Sequence, residues 1–182
     1  IIDVSSPAAP IALGALALSG TTKGVDVDAL RQVAVVARGT TGASVINVAN
    51  PSAPALLATL AGGDVRDVAI SGNYVFLADF SRSFTSVDIT NPAAPVLRAS
   101  TPIATGGRLQ DVAVSGTVAT GADIFFANGV PLIDVSNPAS PQPRPILNFS
   151  NVRNDDGIGI AMDSTFVYLT AGTGVVPENG VT

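Results

Sequence analysis

The sequence contains no cysteine, no histidine and no tryptophan among its 182 residues. Without cysteine, the chain has neither a disulfide framework nor a thiolate metal site. Without histidine, it lacks the commonest general base, so a Ser–His or Cys–His nucleophile pair within the chain is excluded. Neither a P-loop nor a dinucleotide-binding glycine motif is present. These absences predict a chain that is not itself an enzyme.

Basic residues are also scarce, with 9 Lys and Arg against 14 Asp and Glu, and the net charge is −5. A nucleic-acid binder normally carries a basic stripe, so no nucleic-acid partner is expected. Apolar residues make up 47% of the chain, which predicts a packed core. No apolar run reaches the roughly 18 residues that a membrane helix needs, so no membrane span is expected. The 18 Gly and 13 Pro argue against long helices.

A ten-residue pattern occurs four times, and its first proline recurs at spacings of 44, 41 and 46 residues. The copies read IIDVSSPAAP, VINVANPSAP, SVDITNPAAP and LIDVSNPASP, and they begin at Ile1, Val45, Ser86 and Leu132. A second pattern, RDVAISGNYVFLAD from Arg66, falls between two of them and predicts a β-hairpin. The pattern is recognisable again from Gly159, and weaker copies begin at Lys23 and Gln110. Four short strands in about 40–45 residues is the spacing of β-propeller blades.

The repeat therefore predicts an all-β chain that forms a β-propeller with four visible four-stranded antiparallel blades. Residues 1–182 are interpreted as one region of a longer protein and as an open arc of a larger propeller, with exposed blade faces at both ends. The innermost strands are expected near residues 25–27, 67–71, 111–115 and 159–162. The first hairpin carries two extra residues at its turn, and the third carries about five, placed at residues 117–122.

These segments resemble the LVIVD repeat of bacterial and archaeal proteins. The resemblance rests on IIDVSSPAAP, SVDITNPAAP, LIDVSNPASP and RDVAISGNYVFLAD, and it is weakest at residues 117–122 and after Thr173. It implies a β-propeller in a secreted or cell-surface bacterial protein, and it brings no shared catalytic motif. The expected function is a non-enzymatic module that binds a protein or glycan at the cell surface and packs against neighbouring blades of the same protein. The alternatives are a purely structural spacer, and part of an enzyme completed by residues outside this sequence.

Acidic residues recur at fixed places in the pattern. Each repeat carries an Asp or Asn before its proline turn, and this side chain is expected to accept hydrogen bonds from the N–H groups of that turn. These residues are Asp3, Asn47, Asp88 and Asp134. Asn50, Asn91 and Asn137, each directly before a proline, are expected to brace the same turns. Asp26 and Asp28 form a further acidic pair, for which a role in a turn is expected.

A candidate ligand site lies in the loops that lead into the innermost strands. Each of these loops carries a basic residue, and most carry acids, so all are expected to gather at one mouth of the central channel. The candidate residues are Lys23, Arg66, Asp67, Arg108, Asp111 and Arg153. One interpretation is a ring of donors that binds an anionic or polyhydroxylated partner. The other is Arg–Asp pairing between blades, favoured by the absence of an aromatic residue from these loops.

The segment NVRNDDG concentrates oxygen-bearing side chains. Asn151, Asn154, Asp155 and Asp156 are candidate calcium ligands, because this hard cation takes oxygen ligands. Their spacing does not match an EF-hand loop, so a solvated turn is the alternative. No other cofactor is expected.

Overall fold

The computed structural model describes residues 1–61, 63–81, 83–103, 108–123, 130–145 and 159–170. Within these ranges every regular element is a β-strand. No helix that could cross a membrane occurs in this part of the chain. The prediction of an all-β fold is confirmed.

The strands form three four-stranded antiparallel sheets and two two-stranded ones. The chain begins with the pair β1 (Ile2–Asp3) and β2 (Ile11–Ala12). The first complete blade contains β3 (Val25–Asp28), β4 (Val33–Ala37), β5 (Ala43–Asn47) and β6 (Ala55–Leu60). The second contains β7 (Val65–Ser71), β8 (Tyr74–Asp79), β9 (Ser83–Asp88) and β10 (Val96–Thr101). The third contains β11 (Leu109–Ser115), β12 (Val118–Asp123), β13 (Leu132–Asp134) and β14 (Gln142–Pro143). The hairpin of β15 (Gly159–Met162) and β16 (Val167–Thr170) follows.

The sheet order confirms the predicted four-stranded antiparallel blades. Within each blade, strands that are consecutive in sequence are hydrogen-bonded neighbours in the sheet. Strands β3, β7, β11 and β15 open their sheets at the positions predicted for the innermost strands. Three blades are complete within the described residues. The fourth is present there as its inner hairpin, β15–β16.

The turns within the inner hairpins confirm one predicted insertion and correct the other. Four residues separate β3 from β4, whereas two separate β7 from β8, so the two extra residues of the first hairpin do lie in its turn. The expected long turn at residues 117–122 is wrong, because β12 occupies Val118–Asp123 and a two-residue turn joins it to β11. Gly121 belongs to this strand, where an added Cβ would lie 2.7 Å from Leu109 Cδ2. This glycine therefore makes room for a core leucine rather than forming a turn.

The core consists of layers between successive blades. In β8, Val75 and Leu77 belong to the layer between the first two complete blades, whereas Phe76 and Ala78 belong to the layer between the second and third. Alternate side chains of one strand point to opposite faces of its sheet, so both faces of this blade are buried. The second complete blade is therefore apolar on both faces.

The face of the first complete blade that looks toward β1–β2 is apolar and exposed. Val25 and Val27 are 63% and 52% exposed, and the same face borders an apolar cavity of about 560 Å³. A blade face of this kind is expected in an open arc. The larger ring itself stays a prediction, since residues 171–182 lie outside the described part.

Candidate ligand site at the channel mouth

Two β-bulges shape the start of the inner strands. The register of β7 on β8 shifts between Val65 and Asp67, which makes Arg66 the extra residue. The register of β11 on β12 shifts in the same way between Leu109 and Asp111, around Gln110. A bulge redirects the side chains beside it and is common next to functional sites.

The same place in the first complete blade is occupied by Lys23 and Gly24. Ala37 N donates to Gly24 O, and Lys23 N donates to Ala37 O, each at 2.9 Å. Backbone pairing therefore aligns Lys23 with Arg66 and Gly24 with Asp67. A cavity of about 300 Å³ lies between these segments, and we call it the mouth cavity. Its lining consists of Lys23, Gly24, Arg66, Asp67, Gln110 and Asp111. The structure thus brings together four of the six predicted mouth residues.

Carboxylates of the inner strands connect each blade to the next. Asp67 Oδ2 accepts a hydrogen bond from Val112 N at 3.2 Å, and Asp111 Oδ2 accepts one from Ile160 N at 2.7 Å. Asp26 Oδ2 accepts one from Ile70 N at 2.7 Å, which joins the first complete blade to the second. The turn role predicted for Asp26 is therefore wrong, because its side chain joins two blades. Sequence reasoning missed these inter-blade bonds.

Asp28 does have the predicted turn role. Its Oδ1 accepts hydrogen bonds from Leu30 N and Arg31 N at 2.9 and 3.0 Å. Asp28 also pairs with Arg31, whose guanidinium reaches the next blade and donates to the carbonyl oxygens of Gly72 and Ile89. Arg31 is a second inter-blade contact that the sequence analysis missed.

Asp67 and Asp111 form a carboxyl pair in the wall of the mouth cavity. Burial, together with the hydrogen bond and the negative charge of Asp111, raises the pKa of Asp67 to about 7. Gly24 creates the space for this arrangement, since an added Cβ there would lie 1.9 Å from Asp67 Oδ1.

An aromatic side chain accompanies the basic residues, contrary to the expectation from the loops. The guanidinium carbon of Arg66 lies 4.7 Å from the Phe80 ring centroid, and that of Arg108 lies 5.4 Å from it. Phe80 directly follows β8, and the pairing of β7 with β8 places it beside Arg66. The predicted hairpin was the signal that could have identified this residue.

Arg66 also forms an ion pair, in which its Nη2 lies 2.6 Å from Asp64 Oδ2. The acid belongs to the same loop, so this pair is not the inter-blade pairing considered as the alternative. Arg108 is exposed and lies at the edge of the site, in contact with Phe80.

The remaining predicted site residues lie outside the described part of the chain. They are Asn151, Arg153, Asn154, Asp155 and Asp156. The calcium site therefore stays a prediction. Among the described residues, no group of three or more acidic side chains is arranged to hold a metal ion.

The Asp and Asn side chains that precede the proline turns have the predicted structural role. Their Oδ1 atoms accept a hydrogen bond from the N–H group two residues later at 2.8–2.9 Å. The acceptors are Asp3, Asn47, Asp88 and Asp134. The hydrogen bonds from Thr90 and Arg98 lower the pKa of Asp88 to about 2. Two of these acids also pair with an arginine on the fourth strand of the blade, in the pairs Asp88–Arg98 and Asp134–Arg144.

Two solved structures resemble the fold. A protein from Lactobacillus plantarum is 14% identical and superposes with a TM-score of 0.61 over 70% of this chain and 42% of its own. The present chain thus spans about two fifths of that protein's length. The computationally designed Ika4 protein is 10% identical, with a TM-score of 0.69 over 90% of this chain and 93% of its own. At these identities the likeness concerns the fold alone.

Sequence comparison identifies a known repeat in two of the blades. No curated protein matches the chain. The LVIVD repeat family matches residues 62–101 and 106–144. The first match contains strands β7–β10 and the second contains β11–β14, so each covers one complete blade. These two blades match the LVIVD repeat, and the chain as a whole has the all-β fold of β-propeller blades.

Proposed function

We propose that this chain is a non-enzymatic interaction module of a secreted or cell-surface protein, and that the mouth cavity binds its ligand. The observation that carries the proposal is the convergence of Lys23, Arg66 and Gln110 on one cavity of about 300 Å³. They contribute an ammonium, a guanidinium and an amide, which all donate hydrogen bonds. The cavity has the size of a small-molecule site at the lower end of the usual range.

The chemistry of the lining favours a glycan with carboxylate and hydroxyl groups. Lysine and arginine bind carboxylates, and the amide of Gln110 both donates and accepts hydrogen bonds, as recognition of hydroxyl groups requires. Phe80 lies beside Arg66 at the edge of the same site, where its ring packs against the guanidinium groups of Arg66 and Arg108 and helps to hold them. Both bulges belong to strands of packed sheets, which hold the donors in place before a ligand arrives.

The proposed location outside the cell rests on the LVIVD repeats, because the family resemblance associates this repeat with secreted and surface proteins. Expression of the full-length gene with a fluorescent C-terminal fusion, followed by cell fractionation, tests it. Recovery of the protein from the culture medium or the cell surface is expected, and recovery only from the cytoplasm contradicts this location.

The ligand site is tested by titrating the 182-residue chain with tri-galacturonic acid at pH 6 and following ¹⁵N-amide shifts. We expect shifts confined to the starts of β3, β7 and β11. The double variant Lys23→Ala, Gln110→Ala should bind at least about tenfold more weakly, since two hydrogen-bonding groups are removed. Arg98→Ala, on the fourth strand of its blade, is the matched control and should bind normally. If the wild-type chain shows no shifts, the structural-spacer alternative is favoured.

A further inference from the structure

We propose that the mouth cavity binds the carboxylate of an acidic sugar together with one proton, which Asp67 and Asp111 hold between them. The inference rests on the proposed ligand site and specifies both the ligand class and the pH dependence of binding. The affinity for a neutral sugar of the same shape would not depend on this proton.

The contact between the two carboxyl groups is the geometric basis. Two carboxylates without a proton repel each other and cannot hydrogen-bond, whereas a carboxylic acid and a carboxylate can share one proton. Val112 N donates to both groups, to Asp67 Oδ2 at 3.2 Å and to Asp111 Oδ1 at 2.8 Å, so the two carboxyl groups lie side by side, and both line the mouth cavity. Both are fixed from outside the pair, Asp67 by Val112 N and Asp111 by Ile160 N. They therefore cannot separate without breaking inter-blade bonds.

The charges around the pair determine what a bound anion does. The charged groups of the lining, besides the pair, are Lys23 and Arg66, and Asp64 neutralises Arg66. A ligand carboxylate bound by Lys23 would face one negative charge if the pair holds its proton, and two if it does not. Coulomb repulsion therefore makes the bound complex retain the proton.

Groups on the neighbouring strands are held by partners of their own. Asp26 of β3 accepts from Ile70 N, and Asp79 of β8 accepts from Asp64 N at 3.0 Å and from Ser81 N at 2.9 Å. Arg38, which follows β4, donates to Thr41 O, and Arg108 contacts Phe80. The carboxyl groups that line the mouth cavity are therefore those of Asp67 and Asp111.

Linkage then gives the size of the effect. Because ligand and proton stabilise each other, the dissociation constant for the acidic sugar rises with pH once the free pair loses its proton. The limit is about a tenfold rise for each pH unit. The pKa of about 7 for Asp67 places the onset near neutral pH.

Isothermal titration calorimetry tests the inference with tri-galacturonic acid and the neutral galactose trisaccharide at pH 5.5, 6.5, 7.5 and 8.5. Each titration is repeated in two buffers with different ionisation enthalpies, which measures proton uptake directly. We expect the acidic sugar to bind at least about fivefold more weakly at pH 8.5 than at pH 5.5, in line with the linkage limit, and to take up a fraction of a proton at pH 7.5. The neutral sugar should show neither effect.

Asp67→Asn separates this mechanism from a general effect of pH on the protein. The amide can donate to Asp111 without titrating, so this variant should bind the acidic sugar with the same affinity from pH 5.5 to 8.5 and take up no proton. Asp88→Asn, far along the blade on its third strand, is the matched control and should retain the wild-type pH dependence. If Asp67→Asn does not fold, the proton uptake of the wild type decides.

The outcomes distinguish the two proposals. Binding of the acidic sugar with equal affinity at every pH and no proton uptake overturns the shared-proton inference and leaves the ligand site standing. Equal affinity for the acidic and neutral sugars also overturns it, because the ligand carboxylate then contributes nothing. Failure of both sugars to bind overturns the proposed site as well.

Discussion

Replacing Asp67 by asparagine is expected to stabilise the protein at alkaline pH. A carboxyl group whose pKa is raised on folding favours the folded state below its unfolded pKa, and that contribution is lost as pH rises through the folded pKa. For Asp67 this window runs from the ordinary value of 3.8 to about 7. Asparagine keeps an acceptor for Val112 N but never ionises, so the variant avoids the loss.

The magnitude follows from the shift. A rise from 3.8 to about 7 corresponds to about 4 kcal/mol if the group is fully shielded from water. Asp67 lines an open cavity and is only partly buried, so solvent screening reduces the effect to about 2 kcal/mol. The free energy of unfolding of Asp67→Asn, relative to wild type, should therefore increase by about 1 kcal/mol between pH 5 and pH 8, since about two thirds of the window from 3.8 to about 7 lies in that range.

Urea unfolding followed by circular dichroism at half-unit pH steps measures this difference. Asp88→Asn is the control, because the pKa of Asp88 is lowered to about 2 and its stabilisation is lost only as pH falls below the ordinary value of 3.8. The difference between this variant and wild type should stay constant from pH 5 to 8. A flat difference for Asp67→Asn over the same range would refute the shared proton as well as the energetic reasoning.

Three further substitutions, and Gly159→Ala as a control for the first of them, test the inter-blade contacts by urea unfolding at pH 7. Gly24→Ala places a Cβ 1.9 Å from Asp67 Oδ1 and should cost about 2 kcal/mol, whereas Gly159→Ala, with its nearest atom at 3.1 Å, should cost less than about 1 kcal/mol; equal costs would contradict the steric argument. Arg31→Ala removes hydrogen bonds to the next blade and should cost about 1–2 kcal/mol, and an unchanged midpoint would show that these bonds contribute nothing. Ile133→Ala empties a fully buried position between the second and third blades and should cost about 3–4 kcal/mol, and a loss below about 1 kcal/mol would show that this layer relaxes around the cavity.

The blade pattern could be predicted because its determinants are local. In the proline turns, Asp88 Oδ1 and Asn91 Oδ1 each accept from an N–H only two residues later, so the ten-residue signature contains both partners. Hairpin pairing follows from apolar alternation and short turns. The prediction of a long turn at residues 117–122 was wrong because Gly121, which accommodates Leu109 within a strand, looks in sequence like a glycine that forms a turn.

The site could be predicted only in part. Loop order placed Lys23, Arg66, Asp67 and Asp111 together, since equivalent loops of a repeat lie at one end of the propeller. The bond from Val112 N to Asp67 joins residues 45 positions apart, and it depends on how one blade is positioned beside the next. Nothing in a single repeat indicates that spacing, which is why the pairing of Asp67 with Asp111 became visible only in three dimensions.

The division of β8 between two core layers has a consequence for how such repeats can be exchanged. Val75 and Leu77 must suit the preceding blade, while Phe76 and Ala78 must suit the following one. A whole blade that is moved to another propeller therefore presents two faces whose side chains do not match those of its new neighbours. The natural unit of recombination is instead one interface, made of the facing side chains of two adjacent blades. Chimaeras that exchange only the alternate residues of a strand that face one neighbour, together with that neighbour's facing residues, should retain their packing.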